Sequence, residues 1–209
     1  MNVELKEEII YEISLLVKSG FYAPLEINEI IEEQFLDEDV NLNQIDLIVK
    51  EELEKHIEDL KDCKFKFFRS LNNSFIDLTK KNIVPIHNAG FDFEEGVNDA
   101  FEIYTHLVNN KYDAKGFVFY SFYDIEDCIN DNELYLTFGD YKQNKKLALK
   151  IGNEIVDSLK FNNLNVKWDG SLDERICIKP FKWMKHFDED FTYGMEGAVE
   201  TYIKINLKD

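Results

Sequence analysis

The stretch NIVPIHNAGFDFEEGVNDAFEIYTHLV, Asn82 to Val108, decides the fold class because its hydrophobic period changes part-way along. Ile83 to Ile86 is a short apolar run that reads as a strand, and Pro85 near its end suits a sheet edge, where a missing N–H costs no ladder bond. From residue 92 the spacing becomes helical, with Val97, Ala100, Phe101, Tyr104 and Val108 as the inner face of a helix over residues 92–109. His87 to Gly90 connect the two, with Gly90 able to take a positive φ and Asp92 placed to cap the helix. A strand feeding a long helix in this way belongs to a sheet with helices packed on it.

Upstream of that joint only helical patterns occur. Ile9, Ile13, Leu16 and Val17 set a helix over residues 3–19, ended by Gly20. Pro24 opens a second helix through about Phe35, with Leu25, Ile27, Ile30 and Ile31 on its apolar side. LDEDVNLN is a loop, and then Leu42, Ile45, Val49, Leu53, His56, Ile57 and Leu60 step by three or four, a long amphipathic helix over residues 43–61.

Downstream the two periods alternate. Phe68, Leu71, Phe75 and Leu78 predict a helix before the Ile83 strand. GFVFYSF (Gly116 to Phe122) and ELYLTF (Glu133 to Phe138) are aromatic-rich strands, separated at DIEDCIN by one or two helical turns. Leu147, Ile151, Ile155 and Leu159 predict a helix over residues 143–161, and LNVKW and RICIK flank DGSLDE as a hairpin. AVETYIKINL alternates Val199, Thr201, Ile203, Ile205 and Leu207 against Glu200, Tyr202, Lys204 and Asn206, which predicts a terminal strand. The expected class is α+β: an acidic, all-helical N-terminal part at residues 1–62, followed by a mixed β-sheet packed with helices at residues 63–209.

Charge narrows the function. The net charge is −18, and residues 1–62 hold 18 Asp/Glu against 5 Lys, a balance of −13 that leaves −5 for the rest. Such a field repels phosphate backbones and anionic lipid, so neither nucleic acid nor membrane is an expected partner, whereas a basic protein is attracted. No apolar run approaches the roughly 20 residues of a membrane span, and the acidic start MNVELKEEII is unlike a signal peptide. A cytoplasmic protein is the expectation. Cys63, Cys128 and Cys177 are too few and too widely spaced for a disulfide framework or a CxxC-type zinc site. No metal or cofactor is expected.

Three groups of residues are candidates for chemistry or contact. His87 with Asp92 and Glu95 offers a base and carboxylates, although Asp92 as a cap and Glu94 and Glu95 as first-turn acids have structural work available. Glu95, Asp99, Glu102 and His106 share one helix face, but without Glu-x-x-His spacing or a His-x-x-x-His pair they read as a solvated acidic face. His56, on an apolar stripe, reads as a core-edge histidine, and Ser121 as a strand residue. Trp168, Asp169, Arg175 and Trp183 gather around the hairpin, with flat rings for a partner or ligand and Asp169-Gly170 as a turn; Arg175 is expected to pair with Asp169 or Asp173. There is no Gly-x-Ser-x-Gly elbow, phosphate loop or dinucleotide fingerprint.

Taken in order, SGFY (Ser19 to Tyr22), HNAG (His87 to Gly90), GFVFYSFYD, LYLTFG, ALKIGNEIVDSL and VKWDGSLDERICI, with Trp183 downstream, resemble an uncharacterised bacterial family, domain of unknown function 6891. The resemblance runs from about residue 9 to residue 183. It implies a bacterial origin and one contiguous module, and carries no activity, substrate or catalytic residue with it. The chain departs from the family pattern at Tyr123, where Gln before the Asp is expected, and near Asn163, where Gly is expected.

The expectation is therefore a non-catalytic protein that binds a basic partner, as an inhibitor, immunity or regulatory factor. The alternatives are a small metal-assisted hydrolase using His87 with Asp92 or Glu95, and a sensor of small ligands near Trp168 and Trp183. Nothing in the sequence sets an oligomeric state.

Overall fold

The computed structural model describes residues 3–36, 38, 41–61, 63 and 65–207. Three helices open the chain: α1 (Val3–Ser19), α2 (Pro24–Gln34) and α3 (Leu42–Leu60). Positions 37, 39 and 40 of the expected LDEDVNLN loop, and residue 62 at the expected boundary, lie outside the described residues. Five strands and five helices follow: α4 (Lys66–Thr79), β1 (Ile83–Ile86), α5 (Phe93–Asn109), β2 (Gly116–Phe119), α6 (Phe122–Asp131), β3 (Leu134–Asp140), α7 (Lys145–Phe161), β4 (Val166–Lys167), β5 (Ile176–Ile178) and α8 (Gly194–Ile205). The chain is α+β and divides into two units, one of residues 1–65 with 184–190, the other of residues 66–183 with 191–209.

In the helical unit, Ile9, Ile13 and Leu16 of α1, Ile27 and Ile31 of α2, and Ile45 and Val49 of α3 are buried, so the periodicity that predicts the helices also builds their core. Pro24 takes the first turn of α2, and the Glu26 carboxylate accepts a hydrogen bond from the Ala23 N–H at 2.6 Å. Asn41 caps α3 by accepting from the Asn43 N–H. The short return segment 184–190 brings Lys185 into this unit. Its ammonium is buried, donates to the carbonyls of Gly20 and His186, and lies 4.3 Å from the centre of the Phe21 ring. Gly20, at φ +71°, permits this approach: a Cβ there would sit 2.7 Å from the Lys185 carbonyl oxygen. His56 Nε2 donates to that same oxygen at 2.8 Å, which fits the expected core-edge histidine.

In the sheet unit the strand order is β1-β2-β3-β5-β4, with β1 and β2 parallel and the other pairs antiparallel. Val84, Ile86, Phe117 and Phe119 project to one face, where Ala100, Ile103 and Leu107 of α5 and Ala198 and Tyr202 of α8 cover them. Strand alternation turns Ile83, Pro85 and Val118 to the opposite face. There α4 and α7 lie close enough for Ser74 and Ser158 to exchange hydrogen bonds from hydroxyl to carbonyl at 3.3 and 3.1 Å.

Four expectations are corrected. The terminal strand is the helix α8: Met195, Ala198, Val199, Tyr202 and Ile203 also recur at steps of three and four, and this stripe is the one that meets the sheet. The helix α5 buries Ala100, Ile103 and Leu107, while Phe101 and Val108 are 41% and 46% exposed, because its apolar arc is wide enough to offer two stripes. The GFVFYSF strand stops at Phe119, and Ser121 caps α6, its hydroxyl paired with the Asp124 N–H while the Asp124 carboxylate accepts the Ser121 N–H. DIEDCIN thus lies within a ten-residue helix.

Candidate functional site

His87 follows β1 and Tyr120 follows β2, so both stand at the carboxyl ends of the parallel strand pair, where crevices form in sheets of this kind. The HNAG loop extends the pairing past the strands: the Ala89 N–H donates to the Tyr120 carbonyl, and the Phe122 and Tyr123 N–H groups donate to the carbonyls of Gly90 and Phe91. Asn88 and Gly90 both have positive φ. The loop is therefore a fixed bracket that sets His87 against Tyr120.

The His87 ring is held on both nitrogens. Nδ1 lies 2.7 Å from the Tyr120 hydroxyl and Nε2 lies 3.2 Å from Asn72 Oδ1. Because the amide oxygen only accepts, Nε2 carries the proton and Nδ1 accepts from the phenol. Burial raises the Tyr120 phenol well above its usual range, so it remains a donor. Phe75, Phe68 and Tyr193 surround the imidazole at ring separations of 4.5, 5.4 and 5.9 Å. Beside it opens a cavity of about 500 Å³ between α4, β1, the 191–194 loop and α8.

Asp92 and Glu95 do not join His87. Asp92 caps α5 by accepting the Glu95 N–H at 2.9 Å, and the Glu95 carboxylate accepts the Phe91 N–H at 2.8 Å. On the same helix, burial, followed by Glu102 and Glu95, raises the Asp99 carboxyl above its ordinary range. No group of three His, Cys, Asp or Glu among the described residues is arranged to hold a metal ion.

The hairpin residues separate as well. Trp168 packs edge-on to Phe138 and over Gly152, where a Cβ would come within 2.7 Å of the indole, and its N–H donates to the Ser171 carbonyl at 3.0 Å. Asp169 accepts the Ser171 N–H and forms the expected turn. Arg175 pairs with neither Asp169 nor Asp173. Its guanidinium donates to Asp124 at 2.7 Å and to the Tyr135 carbonyl at 3.2 Å, because the strand order places β5 beside β3 and the guanidinium can reach the start of α6. Trp183 is buried against Phe68, Tyr120 and Phe181, one aromatic layer behind His87.

Asn72, Tyr120 and Tyr193 complete the His87 corner and escape the sequence reading, since each comes from a different element and none carries a spacing signal. The acids of the helical unit were legible. Glu4, Glu7, Glu8, Glu26, Glu29, Glu32, Glu33, Glu51, Glu54, Glu58 and Asp59 are all exposed, and α2 contains no Lys or Arg.

Fold and site together describe an α+β protein with an acid-faced helical unit and a sheet unit whose polar corner is built for holding a ring in place. The family described as a domain of unknown function (DUF6891) matches residues 2–187, and the chain belongs to that family. No curated protein and no solved structure matches it. No helix among the described residues is long and apolar enough to cross a membrane.

Proposed function

We propose that this protein is a non-catalytic binding protein whose helical unit docks on a basic protein surface, in the manner of an inhibitor, immunity or regulatory factor. The observation that carries this reading is the outer face of α2, where Glu29, Glu32 and Glu33 are exposed with no cation on the helix, flanked by Leu25 and Leu36 at 75% and 79% exposure. Exposed carboxylates steer a cationic partner, and apolar side chains among them supply the contact that survives desolvation. A cytoplasmic setting accords with three free thiols, Cys63, Cys128 and Cys177. The rival, a metal-assisted hydrolase, has less support because His87, Asp92 and Glu95 each serve another partner.

The test compares proteins retained by the wild type with those retained by a variant carrying Glu29→Lys, Glu32→Lys and Glu33→Lys. A basic protein held by the wild type at low salt, released at high salt and missed by the variant supports docking. Identical captures by the two proteins refute it. Metal analysis of the wild type against His87→Ala tests the rival, which needs bound metal that the substitution removes.

A further inference from the structure

Beyond partner docking, we infer that the cavity between α4, β1 and α8 is a binding site for an amphipathic monocarboxylate. Its volume of about 500 Å³ falls in the range that encloses small organic ligands. Phe75 and Ile76 of α4, Pro85 of β1 and Ala198 of α8 give it apolar walls. Among the described residues its lining contains no Asp or Glu, in a chain that holds 42 of them, and Lys204 supplies an ammonium. A concavity that no described acid lines, with a cation at its border, in a molecule of net charge −18, selects locally for the anion that the rest of the surface repels.

The opposite corner supplies donors. Asn72 spends its amide oxygen on His87, which leaves its two N–H groups to donate. The α8 N-terminus lies beside it, tied down by the Gly194 N–H to the His87 carbonyl at 3.1 Å, and the Tyr193 side chain leaves it uncapped. From there α8 runs ten residues, about 15 Å, to Lys204. A carboxylate at Lys204 with a medium-length hydrocarbon body along Ile76 and Ala198 matches this layout, and an oxygen substituent near the Asn72 end adds to it. The His87 ring, locked by Tyr120 and Asn72, acts as a wall here and not as a base.

Decanoate, decan-1-ol and decylamine, each below its micelle concentration, separate this site from adventitious binding in titration calorimetry with the full chain. The expected order is decanoate tightest and decylamine weakest, against the preference that the overall charge would impose. Lys204→Glu, at an exposed position, is expected to weaken decanoate about tenfold while changing decan-1-ol by less than about twofold. Thr201→Trp, which fills the cavity from an exposed site, is expected to abolish binding of both, with helix content unchanged. Decylamine binding as tightly as decanoate, no saturable decanoate binding, or a Lys204→Glu variant that binds decanoate like the wild type would overturn the proposal. The triple Glu→Lys variant of α2 should bind decanoate as the wild type does, so failure of the docking reading and failure of this one are told apart.

Discussion

Two side chains show how a single charge is handled in opposite ways. Asp124 is 7% exposed at its side chain and balanced by Arg175, itself 39% exposed, as well as by the Ser121 N–H and hydroxyl. Removing the cation leaves a buried carboxylate short of one partner, so Arg175→Met should cost about 2 kcal/mol in urea unfolding, a figure reduced for the solvent that reaches the guanidinium. Asp169→Asn and Asp173→Asn should each stay within about 0.5 kcal/mol; a larger loss at Asp173 would mean that the pairing runs to the hairpin after all. At Lys185 burial, partly offset by Asp188, lowers the amine from 10.5 to about 7. The unfolded chain then binds the proton more tightly than the folded one between those values. The contribution of Lys185 to stability is at its lowest below pH 7 and rises as pH climbs toward 10.5, by an amount on the order of 4 kcal/mol across the window. Urea midpoints measured from pH 7 to 9 should increase for the wild type and stay flat for Lys185→Met; an equal slope in the two proteins removes Lys185 from the account.

At the level of elements, the chain announced its helices and strands wherever one period fitted and the other did not. The Leu147 to Leu159 stripe became α7, and the Ile83 run became an edge strand with Pro85 on it, as read. The segment from Val199 to Leu207 satisfied both periods, and alternation alone had no means of seeing that its other stripe, Ala198 and Tyr202, had a sheet face waiting for it. The consequence is measurable. Glu200 is exposed in the middle of α8, so Glu200→Pro should cost about 3 kcal/mol, whereas a proline on the outer side of an edge strand would cost little. Ser121 went unread for a related reason, since the aromatic run hid a cap; Ser121→Ala should cost about 1 kcal/mol by thermal or urea unfolding. Asn163, near which the resemblance leads one to expect Gly, stands at φ +63°, a conformation that Asn tolerates better than most side chains.

For the molecule as a whole, charge is the property that sequence and structure state in the same terms, because amphipathic helices must place their acids outside. The His87 corner is legible only in three dimensions: it joins Asn72, Tyr120 and Tyr193 from separate segments through backbone pairing that no local pattern encodes. The exposed acids have a cost that can be measured. A net charge of −18 repels itself more in the folded chain than in the expanded one, and the repulsion acts over the Debye length, about 30 Å at 0.01 M salt and about 10 Å at 0.1 M. Raising salt from about 0.01 to 0.1 M should therefore lift Tm by about 3 °C. The surface pairs Lys50–Asp46, Lys55–Glu52 and Lys61–Glu58 oppose this trend, but each spans a single helical turn at the surface and contributes little. Reversing Glu29, Glu32 and Glu33 to Lys removes six units of the imbalance from one helix, and the salt response of that variant should be shallower than that of the wild type. A Tm that falls with salt, or a variant as responsive as its parent, would show that the helical acids are not the source of the repulsion.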